Sequence, residues 1–208
     1  MQWISRQTFE FAFAEATAGK PAALQPEATP ARPMGARTLY SAPTHMHEST
    51  RVLRDHLSRL LGWEDAHVGF DKAVEGITPD KRGARAAGFE HSPWQLVEHI
   101  RIAQDDILDF CGNAAYEHTM KWPDDYWPKD PAPPNQKAWE DALASYARSR
   151  EELKRLAREV DDLTATVPAG KDNQTYLRAV LLTADHTAYH VGQLVAVRRA
   201  LGIWPGGS

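Results

Sequence analysis

The chain has 208 residues, enough for one domain with a real hydrophobic core; it is 42% hydrophobic and 25% charged, as in soluble globular proteins. Its net charge of -4 argues against nucleic acid as a partner, because nucleic-acid surfaces carry a basic footprint. Cys111 is the sole cysteine, so no intrachain disulfide can form, which suits a reducing cytoplasm. No run approaches 18 apolar residues, so no membrane span is expected.

Residues 1–45 differ from the rest. Pro21, Pro26, Pro30, Pro33 and Pro43 break every candidate helix after residue 18, which reads as a disordered or loosely attached extension. Glu10 and Glu15 interrupt the apolar stretch that a signal peptide would need. Met46 precedes a good helix start and is an alternative start site; residues 46–208 are then the folded domain.

Four amphipathic helices follow, with no strand-like segment of weight. The spacing of Leu53, His56, Leu57, Leu60, Trp63, His67, Phe70 and Val74 predicts a first helix over 48–74, with Gly62 and Gly69 weakening it without stopping it. The second begins sharply. Ser92 is a good N-cap, Pro93 suits the first helical position, and Gln95 completes a capping box. Leu96, His99, Ala103, Ile107 and Phe110 form its inner stripe, and Gly112 ends it. A long loop over 113–134 is rich in Trp and Pro, and its rings suggest a packed lid. The third helix spans 135–160 and the fourth 174–201, where Gly202 stops it. The expected fold is therefore all-α, a four-helix bundle whose facing helices supply ligand positions to its core.

The chemistry concentrates in three histidines. His186 and His190 are four residues apart in the fourth helix, so their imidazoles share one face. The polar strip of that helix is narrow (Arg178, Asp185, Gly192, Arg199), and both rings project away from it. His99 takes an apolar position in the second helix. Buried imidazoles need partners, and one metal ion satisfies three of them; neutral imidazole suits zinc, nickel, iron or copper. The competing reading is of core histidines bonded to backbone, Tyr or Gln. Thr187 follows His186, so the adjacent glutamate of His-Glu-x-x-His metalloproteases is missing.

Other residues carry weaker signals. His67 sits on the inner line of the first helix, as a candidate fourth ligand or supporting partner, and His56 lies on nearly the same face. Gln193, three residues after His190, is a candidate to hydrogen-bond it. Glu98 and Asp185 adjoin proposed ligands but point about 100° away, as salt-bridge partners would. Cys111 reads as core, Tyr126, Trp127 and Tyr189 as pocket-lining or packing residues, and His45, His47, His91 and His118 as surface residues.

Taken together, Ser92-Pro93-Trp94-Gln95-Leu96-Val97-Glu98-His99, Leu182-Thr183-Ala184-Asp185-His186-Thr187-Ala188-Tyr189-His190-Val191-Gly192-Gln193-Leu194 and Arg198-Arg199-Ala200-Leu201-Gly202 resemble the DinB/YfiT-like superfamily of bacterial four-helix bundles. The loop Trp122-Pro123-Asp124-Asp125-Tyr126-Trp127-Pro128 resembles one branch of it. The resemblance covers residues 47–204 and leaves out the first 45. It implies a divalent metal, zinc or nickel first and iron or manganese next, held by His99, His186 and His190. Three protein ligands leave a position open, as in catalytic sites that acidify water or hold a thiolate. Superfamily members with known chemistry include thiol S-transferases using bacillithiol or mycothiol, a maleylpyruvate isomerase and presumed hydrolases. The implied function is a metal-dependent transferase or hydrolase acting on a small substrate, with a low-molecular-weight thiol as candidate partner; the cysteine count points to the cytoplasm, and the tendency of helical bundles to pair through an exposed apolar stripe points to a homodimer. The alternatives are a non-catalytic metal-binding or stress-response bundle, and a structural bundle without metal.

Overall fold

The computed structural model describes residues 48–205, so the expected extension over 1–45 lies outside the described residues, with His45 and His47. The elements in order are α1 (Glu48–Leu60), α2 (Phe70–Val74), α3 (Pro79–Arg82), α4 (Pro93–Gly112), a 3-10 turn (Asp124–Tyr126), α5 (Gln136–Glu159) and α6 (Tyr176–Ala200). Among the described residues there is no strand, only an isolated bridge between Thr166 and Thr175. No described helix is long and apolar enough to cross a membrane.

Helix α4 is the central element and packs along both α5 and α6, while α1 packs on α5. Its start is built as its sequence dictates. Ser92 Oγ accepts the Gln95 amide, Gln95 Oε1 accepts the Ser92 amide, and Pro93 takes the first turn. Asn135 caps α5 through the Ala138 amide, and Thr175 caps α6 through the Arg178 amide. Helix α6 ends where Gly202 turns the chain at φ 69°, a left-handed conformation that favours glycine. Leu96, Val97 and Ile100 of α4 meet Trp139 and Tyr146 of α5 and Leu194 of α6 in one apolar cluster. Toward the other end of α4, Ile107, Phe110 and Cys111 pack with Val167 and Ala179. His99 lies within the first of these stretches in sequence, where its ring meets those of His186 and His190 on α6.

The first predicted helix is not continuous. It stops at Leu60, turns at Gly62 through a bond to the Arg59 carbonyl, and resumes as α2 only after Gly69. Two glycines, each costing about 1 kcal/mol in a helix, bracket the break. The break also undoes the inner stripe: Leu53, His56 and His67 are exposed, while Leu57, Leu61 and Phe70 are buried.

Two arginines buried at helix ends hold the rearranged segment. Arg198 of α6 donates to the carbonyls of Ala73 (2.6 Å) and Glu75 (2.8 Å), closing the C-terminus of α2, and to that of Ile203. Arg54 of α1 donates to the carbonyls of Ala157, Arg158 and Asp161 at the end of α5. A guanidinium there satisfies orphan carbonyls and complements the negative end of the helix dipole.

Candidate metal centre

Position 99 faces inward on α4, and positions 186 and 190 face it from α6, one turn apart. The three rings are almost enclosed, with 1%, 9% and 7% of His99, His186 and His190 exposed. One ring nitrogen from each lies within 4.8 Å of the others. His99 Nε2 stands 3.0 Å from His186 Nε2 and 3.1 Å from His190 Nε2.

The outer nitrogens decide what the inner ones can do. His99 Nδ1 lies 3.0 Å from the carbonyl oxygen of Tyr126, and His190 Nδ1 lies 2.7 Å from Gln193 Oε1. Both oxygens are acceptors, so both Nδ1 atoms carry the proton. The Nε2 atoms of His99 and His190 therefore present lone pairs to each other at 3.1 Å with no proton between them. Burial, and secondarily the His190 ring, press the pKa of His99 down to about 3. Burial lowers that of His190 to about 4, against the opposing pull of its Gln193 bond. Burial and both neighbouring rings lower that of His186 as well. The rings are neutral at pH 7, so protonation does not relieve the contact. A shared cation does. Nitrogens bound to one zinc at about 2.0–2.1 Å stand roughly 3.3 Å apart in tetrahedral geometry, close to the separations of His99 Nε2 from the other two rings.

The Trp/Pro loop is folded onto this site. Trp127 stacks flat on His99 at 3.7 Å between ring centres, and His91 stacks at 3.7 Å on Trp127. Both stacks are nearly parallel, at 5° and 11°, so the indole is held between two imidazoles. Tyr126, fully buried, donates its hydroxyl to Asp106 Oδ2 at 2.6 Å, and Tyr116 donates to Oδ1 at 2.8 Å. Burial and the Asp106 carboxylate raise both phenol pKa values, keeping the hydroxyls as donors. Gln95 donates to the Pro128 carbonyl, and the Ser92 hydroxyl donates to that of Pro131, fastening the loop at the start of α4.

The other candidates fall elsewhere. His67 is exposed, bonded to the Val68 carbonyl and outside the histidine group, because the break after Leu60 carries it to the surface. His56 is exposed and stacks on Trp63. Glu98 pairs with Arg101 through both oxygens, and Asp185 is exposed. Cys111 is buried, its thiol pushed up to about 12 by burial, so it is an inert core residue. His118 is exposed, with Nδ1 3.0 Å from the Tyr116 hydroxyl. His91 is not a surface residue: it is half-buried against Trp127. Asp106 escaped the sequence reading although a carboxylate seven residues after His99, on the same face of an apolar helix, is itself a signal.

A helical protein with three convergent imidazoles between two facing helices is the class that fold and site define. The chain belongs to the DinB superfamily, whose profile matches residues 63–194 and so includes all three histidines. No curated protein and no solved structure matched the chain.

Proposed function

We propose that this chain is a four-helix bundle of DinB type that holds one divalent metal on His99, His186 and His190. It uses the metal to transfer or hydrolyse a small substrate. The observation that carries the proposal is the pair of facing lone pairs on His99 and His190, 3.1 Å apart with both Nδ1 protons committed outward. Neutral imidazole suits zinc, nickel, iron and copper, whereas manganese prefers oxygen ligands, and we place zinc and nickel first. When bound, the metal supplies positive charge that offsets negative charge developing on a reacting oxygen or sulfur.

The chain's own residues do the rest. The Tyr126 carbonyl and Gln193 orient two of the ligating rings. Trp127 covers the face of His99 and keeps water from it. Among the described residues the group able to hold a metal consists of the three histidines, with no carboxylate. A bound metal would lower the pKa of either nucleophile, and a thiol starts from about 8.5 where bulk water starts from about 15.7. We therefore place S-transfer from a low-molecular-weight thiol ahead of hydrolysis. The net charge supports a small-molecule partner over nucleic acid. A cytoplasmic homodimer completes the proposal, and light scattering tests the dimer.

The near-complete enclosure of the rings favours a second reading, a metal-binding or stress-response bundle without turnover. Cobalt-substituted protein separates the two. In the enzyme reading, adding a small thiol shifts the visible cobalt bands, and thiol–electrophile pairs turn over in the wild type but not in His190→Ala. Unshifted bands with no turnover of any pair would establish the second reading instead.

A further inference from the structure

Helix α4 carries a second built feature on the same face as His99. Asp106 lies seven residues further along, about two turns or 10 Å up the helix. Its carboxylate is buried, and each oxygen takes a phenol: Oδ1 from Tyr116, Oδ2 from Tyr126. Tyr126 thus touches α4 twice. Its hydroxyl is fixed at Asp106, and its backbone carbonyl is fixed at His99 Nδ1. A tyrosine side chain has only two soft torsions, so it works as a short strut laid along the helix. The distance it spans sets where its carbonyl stands.

We infer that Asp106 and Tyr126 are positioning residues that hold the proton on His99 Nδ1 and so keep His99 Nε2 as an electron-pair donor. The inference rests on His99 being a metal ligand for its functional meaning, but the tautomer it sets exists without metal. An imidazole with its proton at Nδ1 offers Nε2 to a cation; the other tautomer points an N–H at the cation and blocks it. Tyr116 provides an internal control. It bonds the same carboxylate, yet it is ten residues from Tyr126 in the loop and is not the residue whose carbonyl meets His99.

The test compares Tyr126→Phe with Tyr116→Phe, each losing one hydroxyl bond to Asp106. In metal-free protein, nitrogen-15 NMR of the His99 ring reads the tautomer. In parallel, chelator competition reads zinc affinity, and thermal unfolding confirms the fold. We expect wild type and Tyr116→Phe to show the Nδ1–H form. Tyr126→Phe should populate the Nε2–H form and bind zinc 10- to 100-fold more weakly. If Tyr126→Phe does not fold, Asp106→Asn is read in its place and should show the same shift. An unchanged His99 tautomer in the folded variant, or an equal loss of affinity in Tyr116→Phe, would overturn the inference. A wild type that binds no zinc, with the tautomer shift still seen in Tyr126→Phe, would defeat the metal reading and leave the positioning role standing.

Discussion

Gln193 holds His190 by its outer nitrogen: Nδ1 donates to Oε1 at 2.7 Å, one helical turn along α6. The bond fixes the proton away from the cluster, leaving Nε2 to face His99. Gln193→Leu removes the acceptor while keeping the helix. Because Gln193 is only half-buried, stability should change by less than about 1 kcal/mol. Metal affinity should fall 10- to 100-fold, the usual effect of losing a hydrogen-bond partner behind a ligating histidine. Chelator competition measures it; unchanged affinity would show that the bond does not prepare the site.

Arg198 should be a major stability determinant although it touches no ligand. Its guanidinium serves the Ala73, Glu75 and Ile203 carbonyls from a position 1% exposed. Hydrogen bonds to charged groups contribute about 1.5–3 kcal/mol each, and they are not additive. Arg198→Met should destabilise by about 3–5 kcal/mol in urea unfolding, with metal stoichiometry retained. A loss below about 1 kcal/mol would mean that α2 is held by apolar packing alone.

Gly83, in the segment before α4, lies against Ala132 of the Trp/Pro loop. A Cβ there would lie 2.5 Å from the Ala132 Cβ and 3.1 Å from its Cα, and the backbone of 132 cannot swing aside as a long side chain would. Gly83→Ala should lower stability by about 1–3 kcal/mol through overpacking. Adding Ala132→Gly should restore most of it. Absence of rescue would place the cost in the backbone of residue 83 rather than at this contact.

Metal-free protein should weaken as the pH falls. The unfolded histidines protonate near pH 6.5, while folded His99 and His190 stay neutral down to about 3 and about 4. The unfolded state therefore binds more protons throughout that window, and stability drops from about pH 6.5 downward by up to about 1.4 kcal/mol per unit for each ring. Between pH 7 and 9 these rings contribute no slope. Urea midpoints of chelator-treated protein at pH 5, 7 and 8.5 measure this, with His190→Ala expected to show a shallower drop from 7 to 5. Identical slopes would contradict the burial of neutral rings.

The parts of the fold that local chemistry dictates were legible in the sequence. The Ser92 capping box and the Gly202 stop gave one end of α4 and one of α6, and an unbroken apolar period gave their inner faces. The first helix misled because Leu57, Leu60, Phe70 and Val74 keep a helical period across a break in the helix. Periodicity records which residues are apolar, not whether the backbone between them stays straight. A continuous helix would turn His67 inward; with the break it stands at the surface. The His99, His186 and His190 convergence followed from spacing plus resemblance, since both helices place them on inner faces. The stack of His91 on Trp127 and the bond from Tyr126 to His99 depend on the path of the loop over 113–135, which no period encodes.

The most direct test of the central claim is metal content. Untagged wild type and His186→Ala, prepared side by side, are measured by elemental mass spectrometry after incubation with zinc, nickel or iron and removal of loose ions. The wild type should carry about one equivalent of zinc or nickel per chain, and the variant should lose it. A wild type without metal, or a variant that keeps its full equivalent, would contradict the claim.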